Sequence, residues 1–155
     1  MQDIHQWFGS YAQYHRNPTN RAIHWVCVPI IMWAVIAALW TIPPVAPAWF
    51  KPGIWAVIAM FAAFLFYYRL SRKLGLAMVV VFVVSGLIAT ALYGALGARG
   101  LLILAIVLFV LAWIGQFVGH AIEGKSPAFF TNVVQLLIGP AWLMGKLLRR
   151  AGIGY

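Results

Sequence analysis

The sequence predicts an all-α integral membrane protein: four transmembrane helices plus a broken C-terminal hairpin or fifth helix, with the N-terminal segment at the cytoplasmic surface. Two observations carry that prediction. Of the 155 residues, 65% are apolar and only 8% charged, where a soluble domain is about a quarter charged. The 11 Lys and Arg outweigh the 2 Asp and Glu to give +9. These basic residues stand in short clusters between long apolar runs, as in membrane proteins, rather than along one solvated face. No nucleic-acid partner is therefore expected. The composition also excludes a disordered tail and a disulfide scaffold, since Cys27 has no partner in its own chain. The length excludes a transporter built of duplicated halves. One membrane domain, 1–155, remains.

Residues 1–24 lack a basic start followed by an apolar run and a small-residue cleavage site, so they read as a surface segment rather than a signal peptide. Within them Asn17-Pro18-Thr19-Asn20 forms a turn, with Thr19 or Asn20 placed to cap the helix that follows. A span needs roughly 20 mostly apolar residues, and four runs supply them: 25–42, 54–68, 76–96 and 101–122. Pro43-Pro44 closes the first, and Pro52-Gly53 opens the second. Gly97-Ala98-Arg99-Gly100 is so short a link that the last two must be antiparallel neighbours. The stretch 129–148 is apolar but carries Asn132, Gln135, Gly139 and Pro140, which makes a straight lipid-facing span expensive.

Charge decides the orientation. Arg16, Arg21, Arg69, Arg72 and Lys73 fall on one side, against Lys51 and Arg99 on the other, so the first side is cytoplasmic. A fifth crossing would carry Lys146, Arg149 and Arg150 outside, against that rule, so 129–148 is expected to stay on the cytoplasmic side as a re-entrant or interfacial element.

In so apolar a chain the costly residues carry the information. His5, His15, His24, His120, Asp3 and Glu123 all belong to the N-terminal segment or the end of the fourth span. The topology gathers them at one level of the bilayer. Asn20 and His24 lie four apart on one helical face, and Gln116, His120 and Glu123 share another. Neutral imidazole is the commonest transition-metal ligand, and its second nitrogen needs an orienting acceptor. His15, His24 and His120 are the candidate ligands, with Gln116, Glu123 and Asn20 as candidate orienting groups. Three imidazoles with open positions suit Fe(II) or Zn(II). His5 is left out because it lies near the terminus. Gly115 and Gly119 are expected to serve close helix packing, and Met144 and the Trp residues packing and interface anchoring.

Other chemistries lack their parts. There is no glycine-rich phosphate loop or nucleophile elbow. Two acids are too few for an acid-rich phosphotransferase, and four histidines are half what a membrane di-iron desaturase needs. A bis-histidine haem would want its ligands deeper between helices.

At these same residues the sequence resembles the Mpo-like family of membrane 2-hydroxy fatty acid dioxygenases. One matching block runs from Tyr11 to Pro29 as H-x-N-P-x-N-x-x-x-H-x-x-x-x-P from His15. The other, from Trp113 through G-Q-x-x-G-H-x-x-E, continues by Asn132 and Gln135 to Gly139-Pro140. The resemblance implies an Fe(II) enzyme of fatty acid α-oxidation that uses O2 to shorten a 2-hydroxy fatty acid by one carbon. By position it assigns iron to His15, His24 and His120. Gln116, Asn20 or Glu123 would orient these ligands. Arg16 or Arg21 would attract the substrate carboxylate, unless they serve only topology or lipid headgroups. Short loops point to a bacterial inner membrane with the site facing the cytoplasm. Two other classes use the same polar patch: a non-catalytic lipid-binding membrane protein, and a Zn-dependent lipid hydrolase with Glu123 as base.

Overall fold

The computed structural model describes residues 3–46, 49–127, 130 and 132–155. Five helices account for most of them: α1 (Ile4–Ala12), α2 (Pro18–Trp40), α3 (Ile54–Leu70), α4 (Arg72–Glu123) and α5 (Gln135–Arg150). No strand occurs among the described residues.

Local chemistry sets the helix starts. Asp3 and Gln6 form a capping box on α1. α2 begins seven residues before the expected span, because Asn17 caps it by accepting the N–H of Thr19 at 2.8 Å and Pro18 occupies its first turn. The expected caps were Thr19 or Asn20. Both are already helical, and Asn20 turns its side chain to other work. α3 starts after Gly53, whose φ of 92° is left-handed. A Cβ there would lie 2.4 Å from the Trp40 ring, so only glycine lets the end of α2 and the start of α3 meet.

α4 spans 52 residues, which if straight would extend about 78 Å. It is broken at Gly97, with φ 69° and ψ 176°, a conformation open essentially to glycine alone. Leu92 and Tyr93 before the break, and Leu101 and Ala105 after it, pack into one cluster with Ala37 of α2. The limbs 72–96 and 98–123 thus fold back beside each other. The reversal occurs at one residue, and Ala98, Arg99 and Gly100, expected in a turn, are already helical. The second limb runs antiparallel to α2, with Gly119 against Asn20 and Gly115 against Cys27. As expected of these glycines, a Cβ would lie 2.5 Å from Asn20 Oδ1 at Gly119 and 2.7 Å from the Cys27 sulfur at Gly115.

α5 is one amphipathic helix with Pro140 inside it. Gln135, Ile138, Gly139 and Trp142 face inward, whereas Leu136, Leu137 and Leu147 are exposed. Its buried face packs on Ile4, Phe8 and Tyr11 of α1. Phe129, the expected start of this element, lies outside the described residues. α1, α5, the α3–α4 turn and the chain end gather at one end of the bundle. There Lys73 Nζ donates to the Gly154 carbonyl at 2.7 Å and Tyr67 Oη to that of Leu137 at 2.9 Å. Trp40 and Gly53 meet at the other end.

α2 and α4 are long and apolar enough to cross a membrane, and α3 is a shorter apolar helix. The outer faces of both limbs of α4 are aliphatic, with Val80, Val83, Leu87, Ile103, Val110 and Leu111 all exposed. An apolar exterior so continuous marks a surface to be covered by lipid or by another protein.

The break at Gly97 yields a prediction. Gly97→Ala forces a Cβ into that backbone region and should destabilise the protein by about 1–3 kcal/mol. Gly94→Ala, three residues earlier in open helical space, should be neutral or stabilising by up to about 1 kcal/mol. Thermal unfolding of the two variants in detergent checks the contrast; equal melting points would remove the hairpin's dependence on Gly97.

Candidate metal centre

Three separate segments bring one imidazole each to a common point. His15 sits in the turn after α1, His24 in the second turn of α2 and His120 in the last turn of α4. They are 3%, 1% and 5% exposed. The ring centroids of His15 and His24 are 4.2 Å apart, those of His24 and His120 5.0 Å, and those of His15 and His120 5.1 Å. One ring nitrogen from each lies within 4.8 Å of the other two.

Backbone carbonyls one helical turn back hold two of the rings. His15 Nδ1 donates to the Tyr11 carbonyl at 2.7 Å, and His24 Nδ1 to the Asn20 carbonyl at 2.9 Å. A carbonyl accepts only, so both rings must carry their proton on Nδ1 and present a bare Nε2. His15 Nε2 and His120 Nδ1 are buried without a partner. Burial pushes His15 down to about 4, so it is neutral at physiological pH. Converging lone pairs repel unless a cation lies between them. Nitrogen donors, burial and open coordination positions therefore fit a transition-metal ion, and these three residues could hold it.

Glu123 fixes the frame around the cluster. Its carboxylate accepts the backbone N–H of Arg16 at 2.9 Å and of Asn17 at 2.8 Å, and the amide of Asn20 at 3.1 Å. The Asn20 amide also donates to the Tyr14 carbonyl at 3.1 Å. Lys125 Nζ donates to the Gln13 carbonyl at 3.0 Å. The end of α4 is thus fastened to the turn that carries His15 and to the start of α2.

The candidate orienting groups take different places. Asn20 holds His24 through its backbone carbonyl, while its side chain serves Tyr14 and Glu123. Glu123 spends its carboxylate on residues 16, 17 and 20. Gln116 lies one turn before His120, lining the cavity beside the cluster, with its Nε2 buried and unpartnered. Arg16 and Arg21 are exposed and do not line that cavity. His5 is exposed on α1 and does not join the cluster.

Sequence reasoning missed Tyr11, whose ring stacks on His15 at 4.1 Å. The spacing of four between them was the available signal. It also missed Trp142, 5.7 Å from His15 and 5.3 Å from Tyr11, which closes the cluster from α5. Lys146 Nζ lies over the Trp142 ring at 3.3 Å. Burial, with Arg21 and Arg150 nearby, pushes that lysine down to about 8.

The histidines form the polar end of a cavity of about 420 Å³, within the range of small-molecule sites. Beyond them it runs between α2, α3 and the second limb of α4, lined by Ile31, Val35, Met60, Ala63 and Phe109. Its wall follows α2 from His24 to Leu39, about 22 Å of helix. The shape is that of a slot for an amphiphile, polar at one end and apolar along its length.

Comparison with known proteins gives that slot a context. The family model described as "2-hydroxy-palmitic acid dioxygenase Mpo1-like" matches residues 1–151. The chain belongs to this family. The 2-hydroxy-palmitic acid dioxygenase of Saccharomyces cerevisiae is 28% identical over 158 residues, covering 97% of this chain and 82% of the yeast protein. No solved structure matches the chain. The match to the Mpo1-like model contains all three histidines and Glu123, so cluster and clamp both lie inside the family region.

Charge-assisted hydrogen bonds to a carboxylate contribute about 1.5–3 kcal/mol each when buried, and less where solvent reaches them. Glu123→Ala should lower stability by about 1–3 kcal/mol and weaken metal retention. Glu123→Gln should fail in the same direction, because an amide has one acceptor where three donors converge. Unfolding curves and metal content measured together check this; a Glu123→Gln protein as stable and as metal-retentive as the wild type would contradict it.

Proposed function

We propose that this protein is an Fe(II)-dependent dioxygenase, embedded in a membrane, that shortens 2-hydroxy fatty acids by one carbon. The observation that carries the reading is three buried imidazoles from separate segments closing the polar end of an apolar slot. Membership of a family described by its dioxygenase activity supports the chemistry, and the yeast relative's name supports the substrate class. An iron ion bound by His15, His24 and His120 would supply activation of O2, the net electrons coming from the 2-hydroxy acid as its C1–C2 bond is broken.

The chain's own residues do the rest. The carbonyls of Tyr11 and Asn20 keep the Nδ1 protons of His15 and His24 in place, so the Nε2 atoms stay available as ligands. Trp142 and Tyr11 wall the cluster from water on the α1–α5 side. The apolar slot takes the acyl tail, while the carboxyl end lies among the imidazoles and Gln116. Arg16 and Arg21, exposed at that end, attract the carboxylate at the surface rather than grip it inside.

The apolar exterior supports four crossings at 25–42, 54–68, 76–96 and 101–122, with α1 and α5 lying on the cytoplasmic surface over the site. The relative is a yeast protein, so a bacterial inner membrane rests on short loops alone. The hydrolase alternative loses its base, because the Glu123 carboxylate already accepts three hydrogen bonds.

Purified protein should retain about one iron per chain and consume O2 on 2-hydroxypalmitate, releasing a product one carbon shorter. His24→Ala and His120→Ala should each abolish metal retention. Turnover should fall beyond the roughly 10–100-fold that loss of a supporting group costs, with helicity retained by circular dichroism. Zinc in place of iron, with no O2 uptake, would favour hydrolysis, and a protein that retains no metal would favour a lipid-binding role.

A further inference from the structure

Gln135 opens α5, is 6% exposed and lines the cavity that the histidines close. A chain of donors determines how its amide is turned. Ser10 Oγ donates to the Trp7 carbonyl at 2.9 Å, which uses its one proton. The Ser10 oxygen can then only accept, and Gln135 Nε2 donates to it at 3.0 Å. The other end of the amide, Oε1, is left buried without a partner. Such an acceptor is costly unless a ligand brings it a donor.

Its position is tied to the metal cluster. Ser10 precedes Tyr11, whose carbonyl holds His15 and whose ring stacks on that imidazole. One turn along α5, a Cβ at Gly139 would lie 3.0 Å from the Tyr11 hydroxyl, so α1 and α5 are in close contact here. Across the cavity, Gln116 Nε2 is a buried donor without an acceptor. The polar end therefore offers one free acceptor on α5 and one free donor on α4, beside three imidazoles. A 2-hydroxy carboxylate is their complement, because its hydroxyl donates and its carboxylate accepts.

We propose that Gln135 Oε1 accepts the 2-hydroxyl group of the substrate, and that the Trp7–Ser10–Gln135 chain makes Gln135 the residue that separates 2-hydroxy fatty acids from unsubstituted ones. The inference rests on the dioxygenase reading above. An unsubstituted acid fills the same slot but leaves Oε1 without a donor, and a site built to bond a hydroxyl discriminates strongly against the analogue lacking it.

The test uses the full-length protein as purified, in lipid nanodiscs and without O2 so that nothing turns over, titrated with 2-hydroxypalmitate, 3-hydroxypalmitate and palmitate while tryptophan fluorescence is followed. Wild-type protein should prefer 2-hydroxypalmitate over both others by about tenfold. Gln135→Met, which keeps the length but not the acceptor, should lose that preference while holding palmitate within about twofold. Gln135→Leu is read in the same way if the methionine variant fails to insert. Ser10→Ala, which frees the amide to turn, should reduce the preference in part. Equal weakening of all three ligands by Gln135→Met would make the residue merely structural and overturn the proposal. So would a wild-type protein without preference, or a variant that keeps it. O2 uptake by iron-loaded wild-type protein on 2-hydroxypalmitate separates the two levels. Uptake alongside any of these results leaves the dioxygenase reading intact and removes Gln135 from it. A wild-type protein that neither binds nor consumes that acid ends both.

Discussion

Arg16 and Glu123 are separated by 107 positions, yet one carboxylate accepts the N–H groups of Arg16 and Asn17 and the amide of Asn20. Everything about the site depends on that closure. The three donors lie in the turn after α1 and at the start of α2, where the helix dipole favours a negative charge. His15 and His24 sit just before and just after them, and His120 precedes Glu123 by one turn of α4. Fastening residue 123 to residues 16–20 therefore fixes the level at which all three imidazoles meet. Gly119 completes the arrangement, since any larger residue would push α4 away from Asn20.

The surroundings follow from the same geometry. A buried imidazole cannot easily take a second proton, so the cluster stays neutral and its lone pairs converge. The cost of burying these polar atoms is offset in part by the Tyr11 and Asn20 carbonyls, and for the rest a metal ion is the natural partner. The helices that bring the ligands together also leave a slot between them. Its apolar walls need no polar partners, so its polar groups are confined to one end. A fatty acid has that same asymmetry, so the proposed lipid-oxidising role fits imidazoles at the end of an apolar slot better than a purely structural metal site would.

Much of this was legible in the residues themselves. In a chain with two acids and four histidines, polar side chains are too few to be accidental, and the four-residue spacing of Gln116 and His120 put them on one face. That His15, His24 and His120 come together followed from the expectation that segments meeting at one bilayer level also meet in space. The Gly115–Gly119 pair announced a close helix contact, though not that α2 would be the partner. Hydrogen bonds between distant residues were not legible. Nothing local says that Glu123 serves backbone N–H groups rather than an imidazole, or that Ser10 will turn the amide of Gln135. The cap of α2 was misplaced because Asn17, Thr19 and Asn20 all have capping side chains, and the choice fell to Asn17 when Pro18 took the first helical position. The reversal at Gly97 was foreseen as a four-residue turn, because sequence shows which residues permit a break but not how few are used.

The most direct test of the account is the ligand shell of the iron-loaded protein, read by X-ray absorption at the metal edge. Three imidazole nitrogens bound to the iron is the predicted result, with no iron left to absorb when His24 or His120 is replaced by alanine. A shell of oxygens without imidazole scattering, unchanged by those replacements, would contradict it.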